Sequence, residues 1–281
     1  MAPPGPRLIP RAVFGSRNVL YLRAMDDEQN LSTARPSWPE IVRKIRARTP
    51  ARIFVERGAA YSTQTELDLR SAHASAVDAV WSEFDLERTF PREFITRWQL
   101  FQVASKAETK SQYLLRPDLG RSLSDAAKNL VAEKCSESPD VQILIGDGLS
   151  GAAVAAQVPA LFPLVHEKVR ARGWSLGQSF AVRYCRVGIM NDVGDLLSPR
   201  LILLLIGERP GLATAESLSA YMAYAPKSGQ TDADRNLISN IHARGVQIPE
   251  AAARIVSLAA QMLALRSSGT SVKEDTSRLL P

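Results

Sequence analysis

The 281-residue chain is 45% hydrophobic and 23% charged, the composition of a folded globular protein, which excludes a low-complexity or largely disordered chain. No aliphatic run approaches the roughly 20 residues of a membrane span, and two cysteines make no disulfide framework, so we expect a cytoplasmic protein. The net charge of +6 includes four arginines in residues 1–24, which hold no acid, so we expect neither a nucleic-acid nor a membrane partner.

The N-terminal part is predicted to be helical after a poorly ordered segment. Residues 1–36 combine prolines and arginines without periodicity; a targeting arm and a translated upstream segment with Met25 as the true start are both compatible with them. Two pairs of residues have the spacing of a helix capping box, Ser37 with Glu40 and Thr63 with Glu66. With a short strand over residues 51–55, they predict a mostly helical domain over residues 37–110.

A change of pattern near residue 110 predicts the domain boundary. Residues 91–115 have the pattern of a helical connector, and a helix is predicted from Pro117 to about Ser136. We therefore predict a second domain over residues 111–281.

The second domain has the pattern of an α/β protein. Apolar runs predict strands at residues 141–145, 180–184 and 201–206, and a weaker alternation at 219–224 predicts an edge strand. Helical patterns begin at Ser150 and span residues 249–265. Strands separated by helices predict a Rossmann-like, doubly wound and mainly parallel sheet.

Three glycine-containing loops follow the predicted central strands, at residues 146–150, 185–189 and 207–211. Ligands of open parallel sheets bind outside the carboxyl ends of the strands, so these loops predict a ligand-binding edge. Their charged residues are Asp147, Arg186, Glu208 and Arg209.

The first of these loops matches a dinucleotide fingerprint, Gly146-x-Gly148-x-x-Gly151. However, no acidic residue ends the next strand about 20 positions later, and Asp147 would repel a pyrophosphate. An NAD(P)-dependent oxidoreductase is therefore the alternative function, and a basic binding module without catalysis is a third. The sequence holds no G-x-S-x-G, no P-loop and no spacing typical of metal ligands, so we name no catalytic or metal-binding residue.

The loops and their neighbours together resemble one family, the small (light) subunit of adenosylcobalamin-dependent ethanolamine ammonia-lyase. The resemblance covers roughly residues 40–268, and its motifs stand in the family's order. They are Arg57-Gly58, Tyr113-Leu-Leu-Arg-Pro-Asp-Leu-Gly-Arg121, Asp140-Val-Gln-Ile-Leu-Ile-Gly-Asp-Gly-Leu-Ser150, Val182-Arg-Tyr-Cys-Arg-Val187, Gly207-Glu-Arg-Pro-Gly-Leu212, Glu216-Ser-Leu-Ser219 and Ile238-Ser-Asn-Ile-His242.

The resemblance implies that adenosylcobalamin lies between this chain and a large subunit, within a higher hetero-oligomer that deaminates ethanolamine to acetaldehyde and ammonia. The radical chemistry and the catalytic residues would belong to the large subunit. Some relatives carry an amphipathic leader that directs them to a bacterial microcompartment; residues 1–36 show no convincing amphipathic helix, so we do not predict encapsulation.

The resemblance also implies which residues contact the cofactor. The family's contacts fall on Val187, Glu208 and Leu237, the last at a position where a relative has a cysteine. Arg186 and Arg209 carry the positive charge that could face the cofactor's phosphate. None of the three histidines lies in an Asp-x-His-x-x-Gly motif, so we expect the cofactor to keep its own base on cobalt.

Overall fold

A computed structural model describes residues 40–41, 43–44 and 61–274. Residues 40–41 and 43–44 are helical. The predicted poorly ordered segment over residues 1–36 and the predicted strand over 51–55 lie outside the described residues. The architecture below is that of residues 61–274.

This part of the chain holds eight α-helices, six strands and three short 3₁₀ helices. The elements are α1 (Thr63–Trp81), α2 (Leu86–Thr89), α3 (Arg92–Trp98), β1 (Phe101–Ala104), α4 (Lys110–Leu115), a 3₁₀ helix (Leu119–Arg121), α5 (Asp125–Lys134), β2 (Val141–Gly146), α6 (Gly151–Ala171), β3 (Phe180–Arg183), α7 (Ile189–Leu197), β4 (Leu201–Gly207), β5 (Leu218–Tyr224), a 3₁₀ helix (Asp232–Asp234), β6 (Asn236–Ile241), α8 (Ile248–Leu265) and a 3₁₀ helix (Gly269–Ser271).

The six strands form one mixed sheet in the order β1-β3-β2-β4-β5-β6. The first four strands in this order pair in parallel, and β5 and β6 continue the sheet with antiparallel pairings. The structure thus confirms an α/β fold, but not the Rossmann-like, doubly wound arrangement with a mainly parallel sheet. Strands β5 and β6 each pair antiparallel with the strand before them in the sheet, so they need no helical crossover, which further parallel strands would require.

The central strands are buried on both faces, which explains their unbroken apolar sequence. Every residue of β2 and of β4 is buried. Successive side chains alternate between the faces: Leu203 and Leu205 pack in the core beneath α6 and α8, whereas Ile202 and Leu204 pack beneath α5 and α7. The run from Leu201 to Ile206 therefore fills two cores at once.

Helix α8 is long and apolar enough to cross a membrane by length and composition alone. Eight of its residues, including Ile255 and Met262, are buried in the core on one face of the sheet. Its apolar character is therefore that of a core helix.

Three predicted elements differ from the structure. The connector over residues 91–115 is interrupted by β1, and the helix predicted from Pro117 begins only after Ser124, whose side chain accepts a hydrogen bond from the Ala127 N–H. Residues 219–224 form an internal strand, because β6, which was not predicted, covers the outer edge of β5. The domain boundary near residue 110 remains a prediction; β1, which precedes it, lies in the same sheet as the strands that follow it.

Candidate functional site

The five predicted cofactor-contacting residues line a single cavity of about 300 Å³. Arg186 and Val187 come from the loop between β3 and α7, Glu208 and Arg209 from the loop after β4, and Leu237 from β6. The parallel pairings of β2 with β3 and β4 bring the carboxyl ends of these strands to the same edge. The sheet thus places residues that are up to 51 positions apart in sequence around the same space.

Sequence reasoning missed several residues that also line this cavity. Tyr113 reaches it from α4, Ser219 and Tyr221 from β5, and Ser239 from β6. The antiparallel strands supply most of them, and without β6 in the predicted sheet nothing placed these hydroxyl groups near Glu208. Tyr113, Ser219 and Ser239 do lie inside the motifs that carry the family resemblance.

Two further cavities adjoin the first, with volumes of about 480 and 450 Å³. Arg186 lines all three, Val187 is shared with the larger, and Arg209 and Leu149 are shared with the other. The carboxyl edge of the sheet is therefore one extended concave surface, suited to a ligand larger than any single cavity.

One oxygen of the Glu208 carboxylate accepts hydrogen bonds from within the protein. Its Oε1 accepts hydrogen bonds from the Ser219 hydroxyl at 2.6 Å and from the Asn240 N–H at 2.8 Å. Among the ion pairs of the described residues, none joins Glu208 to the neighbouring Arg209. Oε2 of Glu208 accepts no hydrogen bond within the described residues, and Glu208 lines the cavity beside the exposed Arg209.

His242 continues the Glu208 network behind the cavity. The Arg244 N–H donates to Nδ1 at 3.2 Å, so Nε2 carries the proton and donates to the Asn240 side-chain oxygen at 2.8 Å. Burial, together with the nearby charge of Arg244, lowers the pKa of His242. Both ring nitrogens are engaged, so His242 supports the end of β6 and offers no free nitrogen to a ligand.

Glycine in the loop at residues 146–150 allows this loop to contact the loop after β4 closely. Gly148 has φ +57°, and a Cβ there would lie 2.1 Å from the Gly207 carbonyl oxygen. The adjacent Leu149 N–H donates to that same oxygen at 3.2 Å. Only glycine lets the two backbones approach this closely with Gly148 in the left-handed region.

The N-terminus of α6 is closed by the protein itself. The Ser150 hydroxyl accepts from the Ala153 N–H at 3.1 Å and donates to the Ala215 carbonyl at 2.6 Å. The Gln157 side chain donates to the Glu216 carbonyl at 3.1 Å, one turn further along α6. The segment at residues 215–216 thus covers the place where a dinucleotide pyrophosphate would bind, which argues against the nicotinamide-cofactor alternative.

Asp147 points away from α6, toward the loop after β3. Its two carboxylate oxygens accept from the Tyr184 N–H at 2.8 Å and the Cys185 N–H at 2.7 Å. Burial raises the pKa of Asp147 to about 6, although these N–H groups and the charge of Lys110 act in the opposite direction. Burial likewise raises the pKa of the Cys185 thiol, so this cysteine is not an activated nucleophile.

Tyr113 holds the same loop from the other side. Its hydroxyl donates to the Cys185 carbonyl at 2.9 Å, and its ring stacks on Tyr184 at 5.7 Å between centroids. The Arg186 guanidinium lies 4.3 Å from the centre of the Tyr113 ring and donates to the Tyr113 carbonyl at 3.3 Å. Arg186 therefore enters the cavity with its orientation already set.

The lining can bind a large ligand that carries both polar groups and apolar surface. Glu208 offers an acceptor, Arg186 and Arg209 offer cationic donors, and Val187 and Leu237 offer apolar contact. Leu237 is 44% exposed, unusual for a leucine on a strand.

Comparison with known proteins identifies the family. The family model for the ethanolamine ammonia-lyase light chain (EutC) matches residues 39–273. The ethanolamine ammonia-lyase small subunit of Clostridium perfringens is 40% identical over 250 residues, covering 89% of this chain and 83% of the relative. That of Clostridium acetobutylicum is 37% identical over 235 residues (83% and 95%), and that of Listeria monocytogenes is 35% identical over 250 residues (89% and 83%). The chain therefore belongs to the ethanolamine ammonia-lyase light-chain family, the smaller subunits of a hetero-oligomeric lyase.

Proposed function

We propose that this chain binds adenosylcobalamin together with a large subunit, in an enzyme that deaminates ethanolamine to acetaldehyde and ammonia by radical chemistry. The supporting observation is that all five residues expected to contact the cofactor line one cavity, which opens into a longer concave surface.

The chemical groups of the cavity suit the cofactor. Cobalamin carries an amide-rimmed corrin, a ribose and a phosphodiester, which need acceptors, donors and apolar surface in turn. Glu208 Oε2 would accept from an amide or a ribose hydroxyl, and Arg186 or Arg209 would face the phosphate. Val187 and Leu237 would contact apolar surface.

When bound, adenosylcobalamin supplies the radical for the reaction. The residues of this chain would hold and orient it. Arg186 is held by its hydrogen bond to the Tyr113 carbonyl, and the Glu208 carboxylate is held by Ser219 and Asn240. Both groups are ordered before binding, so little conformational freedom is lost when the cofactor enters.

The large subunit would close the open side of the surface. Exposed apolar side chains lie beside the cofactor cavity: Val77 and Trp81 of α1 and Leu212 all line the adjoining 450 Å³ cavity. Apolar side chains grouped at the rim of a concave site are typical of a surface covered by a partner. Their continuity with the cavity supports a partner that would cover the bound cofactor.

Reconstitution tests this proposal directly. The chain would be produced with and without a large subunit of the same family, and ammonia release from ethanolamine measured with and without adenosylcobalamin. We expect ammonia only when both subunits and the cofactor are present. Deamination by this chain and the cofactor alone would contradict the assignment of the chemistry to the partner, and a two-subunit complex that needs no cofactor would contradict the cofactor.

A further inference from the structure

A buried carboxylate beneath the cavity has no part in the function described so far. Asp147 is fully buried, yet it lies directly after β2, at the edge where the cavity opens. Its side chain is not among those that line the three cavities at this edge: its oxygens accept N–H groups of the neighbouring loop, from Tyr184 and from Cys185.

The loop that Asp147 holds has an unfavourable backbone conformation. Tyr184 has φ +57°, in the left-handed region that a bulky residue adopts only under constraint. This conformation turns two successive N–H groups toward the same carboxylate, one to each oxygen. Without an acceptor for both, the two buried N–H groups would lack partners and the turn would lose its main support.

The residues that follow this turn are those of the cavity. The Arg186 N–H donates to the Gly120 carbonyl at 2.8 Å, and the Met190 N–H donates to the Val187 carbonyl at 3.2 Å as α7 begins. The position of Arg186 and Val187 therefore depends on the direction in which the chain leaves Tyr184 and Cys185.

We propose that Asp147 is a positioning residue, whose carboxylate holds the Tyr184–Cys185 turn and thereby fixes Arg186 and Val187 in the cofactor cavity. The consequence for the cofactor rests on the proposed function; the consequence for the loop does not. Asp147 touches neither cofactor nor substrate and acts only through the turn.

The charged and titratable groups around Asp147 make its hydrogen bonds to the Tyr184–Cys185 turn sensitive to pH. From α4 it is faced by the Lys110 ammonium, which is buried and has no hydrogen-bond partner within the described residues, and by the Tyr113 hydroxyl. Cys185 faces it from the loop, and Arg186 in turn acts on Cys185. Glu83 and Arg183 act on Lys110 in turn.

Function and folding respond to this group in opposite directions. Because burial raises the pKa of Asp147 to about 6, above the 3.8 of an unfolded chain, protonation favours the folded state as pH falls through this interval. The hydrogen bonds that Asp147 accepts from the Tyr184 and Cys185 N–H groups, in contrast, are strongest when its carboxylate is ionised. A loss of cofactor affinity below about pH 6 would therefore not come from Asp147-linked unfolding.

The test compares Asp147→Asn with a matched control, Asp140→Asn. Asp140 precedes the other end of β2, and its carboxylate accepts the Ser175 N–H at 2.9 Å, far along the strand from the cavity. An asparagine at 147 keeps the shape but can accept at only one of its two terminal atoms, so one N–H of the turn loses its partner.

Two measurements are made on the assembled two-subunit complex: amide hydrogen exchange of residues 184–188 without cofactor, and the adenosylcobalamin dissociation constant between pH 5 and 8. For Asp147→Asn we expect faster exchange at these residues and about tenfold weaker binding at pH 7.5, the loss of one charged hydrogen bond. The wild-type affinity should fall as pH drops through about 6, and this dependence should disappear in Asp147→Asn. Asp140→Asn should match wild type in both measurements.

A second variant keeps the proposal testable if Asp147→Asn does not fold. Lys110→Met removes the charge that lowers the pKa of Asp147, so the acidic loss of affinity should move to higher pH. Unchanged exchange at residues 184–188 in Asp147→Asn, or an unshifted pH dependence in Lys110→Met, would overturn the positioning role. A wild-type complex that binds no cobalamin would instead overturn the proposed function, and the exchange measurement would still decide the role of Asp147.

Discussion

Two loops at the same edge of the sheet both begin with a glycine and an acidic residue, yet they have different roles. In the loop at residues 146–150, Asp147 and Ser150 are buried and both side chains are bonded to backbone groups of the protein. In the loop at residues 207–211, Glu208 uses one oxygen internally and Arg209 is exposed. The first loop therefore stabilises its neighbours, whereas the second exposes charged side chains to the cavity. This is so although the first loop carries the better-known glycine pattern.

The largest effect that tests this contrast is expected from Gly148→Ala. The new Cβ would lie 2.1 Å from the Gly207 oxygen at φ +57°, so strain and overpacking together should cost about 2–4 kcal/mol in the free energy of unfolding. Gly173→Ala is the control, because Gly173 has φ +75° with no atom within 4 Å of the added Cβ, and we expect a cost of about 1 kcal/mol. Denaturant unfolding of both variants measures the difference; equal costs would mean that the loops are not in rigid contact.

Next in size is the effect of Glu208→Gln on the cofactor. Glutamine can keep the Oε1 bonds to Ser219 and Asn240 and replaces only Oε2. Loss of that one charged acceptor should weaken adenosylcobalamin binding by roughly 10- to 200-fold, which corresponds to about 1.5–3 kcal/mol, with the melting temperature almost unchanged. Glu208→Ala also removes the internal bonds, so it should lower the melting temperature as well. An unchanged dissociation constant in Glu208→Gln would exclude Glu208 from the site.

The sequence predicted the parallel half of the site better than the antiparallel half, for a physical reason. Strands β2 and β4 are buried on both faces, so their apolar runs identify them without knowledge of their neighbours. In β6 only Ile238 and Ile241 are buried, and Leu237 is exposed, so its sequence lacks a strand's regular alternation. Leu237 was placed in the site by the family motif alone, while Tyr221, which lies outside the family motifs, needed the strand register, in which it is opposite Leu237.

A smaller effect is expected from Arg209→Ala. Arg209 is exposed and makes neither an ion pair nor a side-chain hydrogen bond within the described residues, so stability should change by less than about 0.5 kcal/mol. Its charge at the rim should contribute roughly three- to tenfold to cofactor affinity at low salt, and less as salt screens it. Arg186→Ala is the contrast: it also removes the packing on Tyr113, so both affinity and melting temperature should fall. A salt-independent effect of Arg209→Ala would show that Arg209 acts by something other than exposed charge.

The smallest effect is expected from Leu237→Cys, which exchanges a partly exposed apolar side chain in the cavity for a smaller and weakly polar one. Leu237 is 44% exposed and lies opposite Tyr221 on β5, so the substitution removes little buried apolar surface and should cost less than about 1 kcal/mol. If the residue contributes only apolar contact, the smaller thiol should change the adenosylcobalamin dissociation constant by less than about fivefold, since the two methyl groups that are lost are each worth roughly 0.8 kcal/mol when fully buried and about half of that on a side chain that is partly exposed. Leu265→Cys is the control for an exposed leucine outside the cavity, at 63% exposure on α8. A tenfold gain in affinity in Leu237→Cys, with none in Leu265→Cys, would show that a polar contact belongs at this position and that Glu208 and the arginines supply only part of the chain's polar contacts to the cofactor.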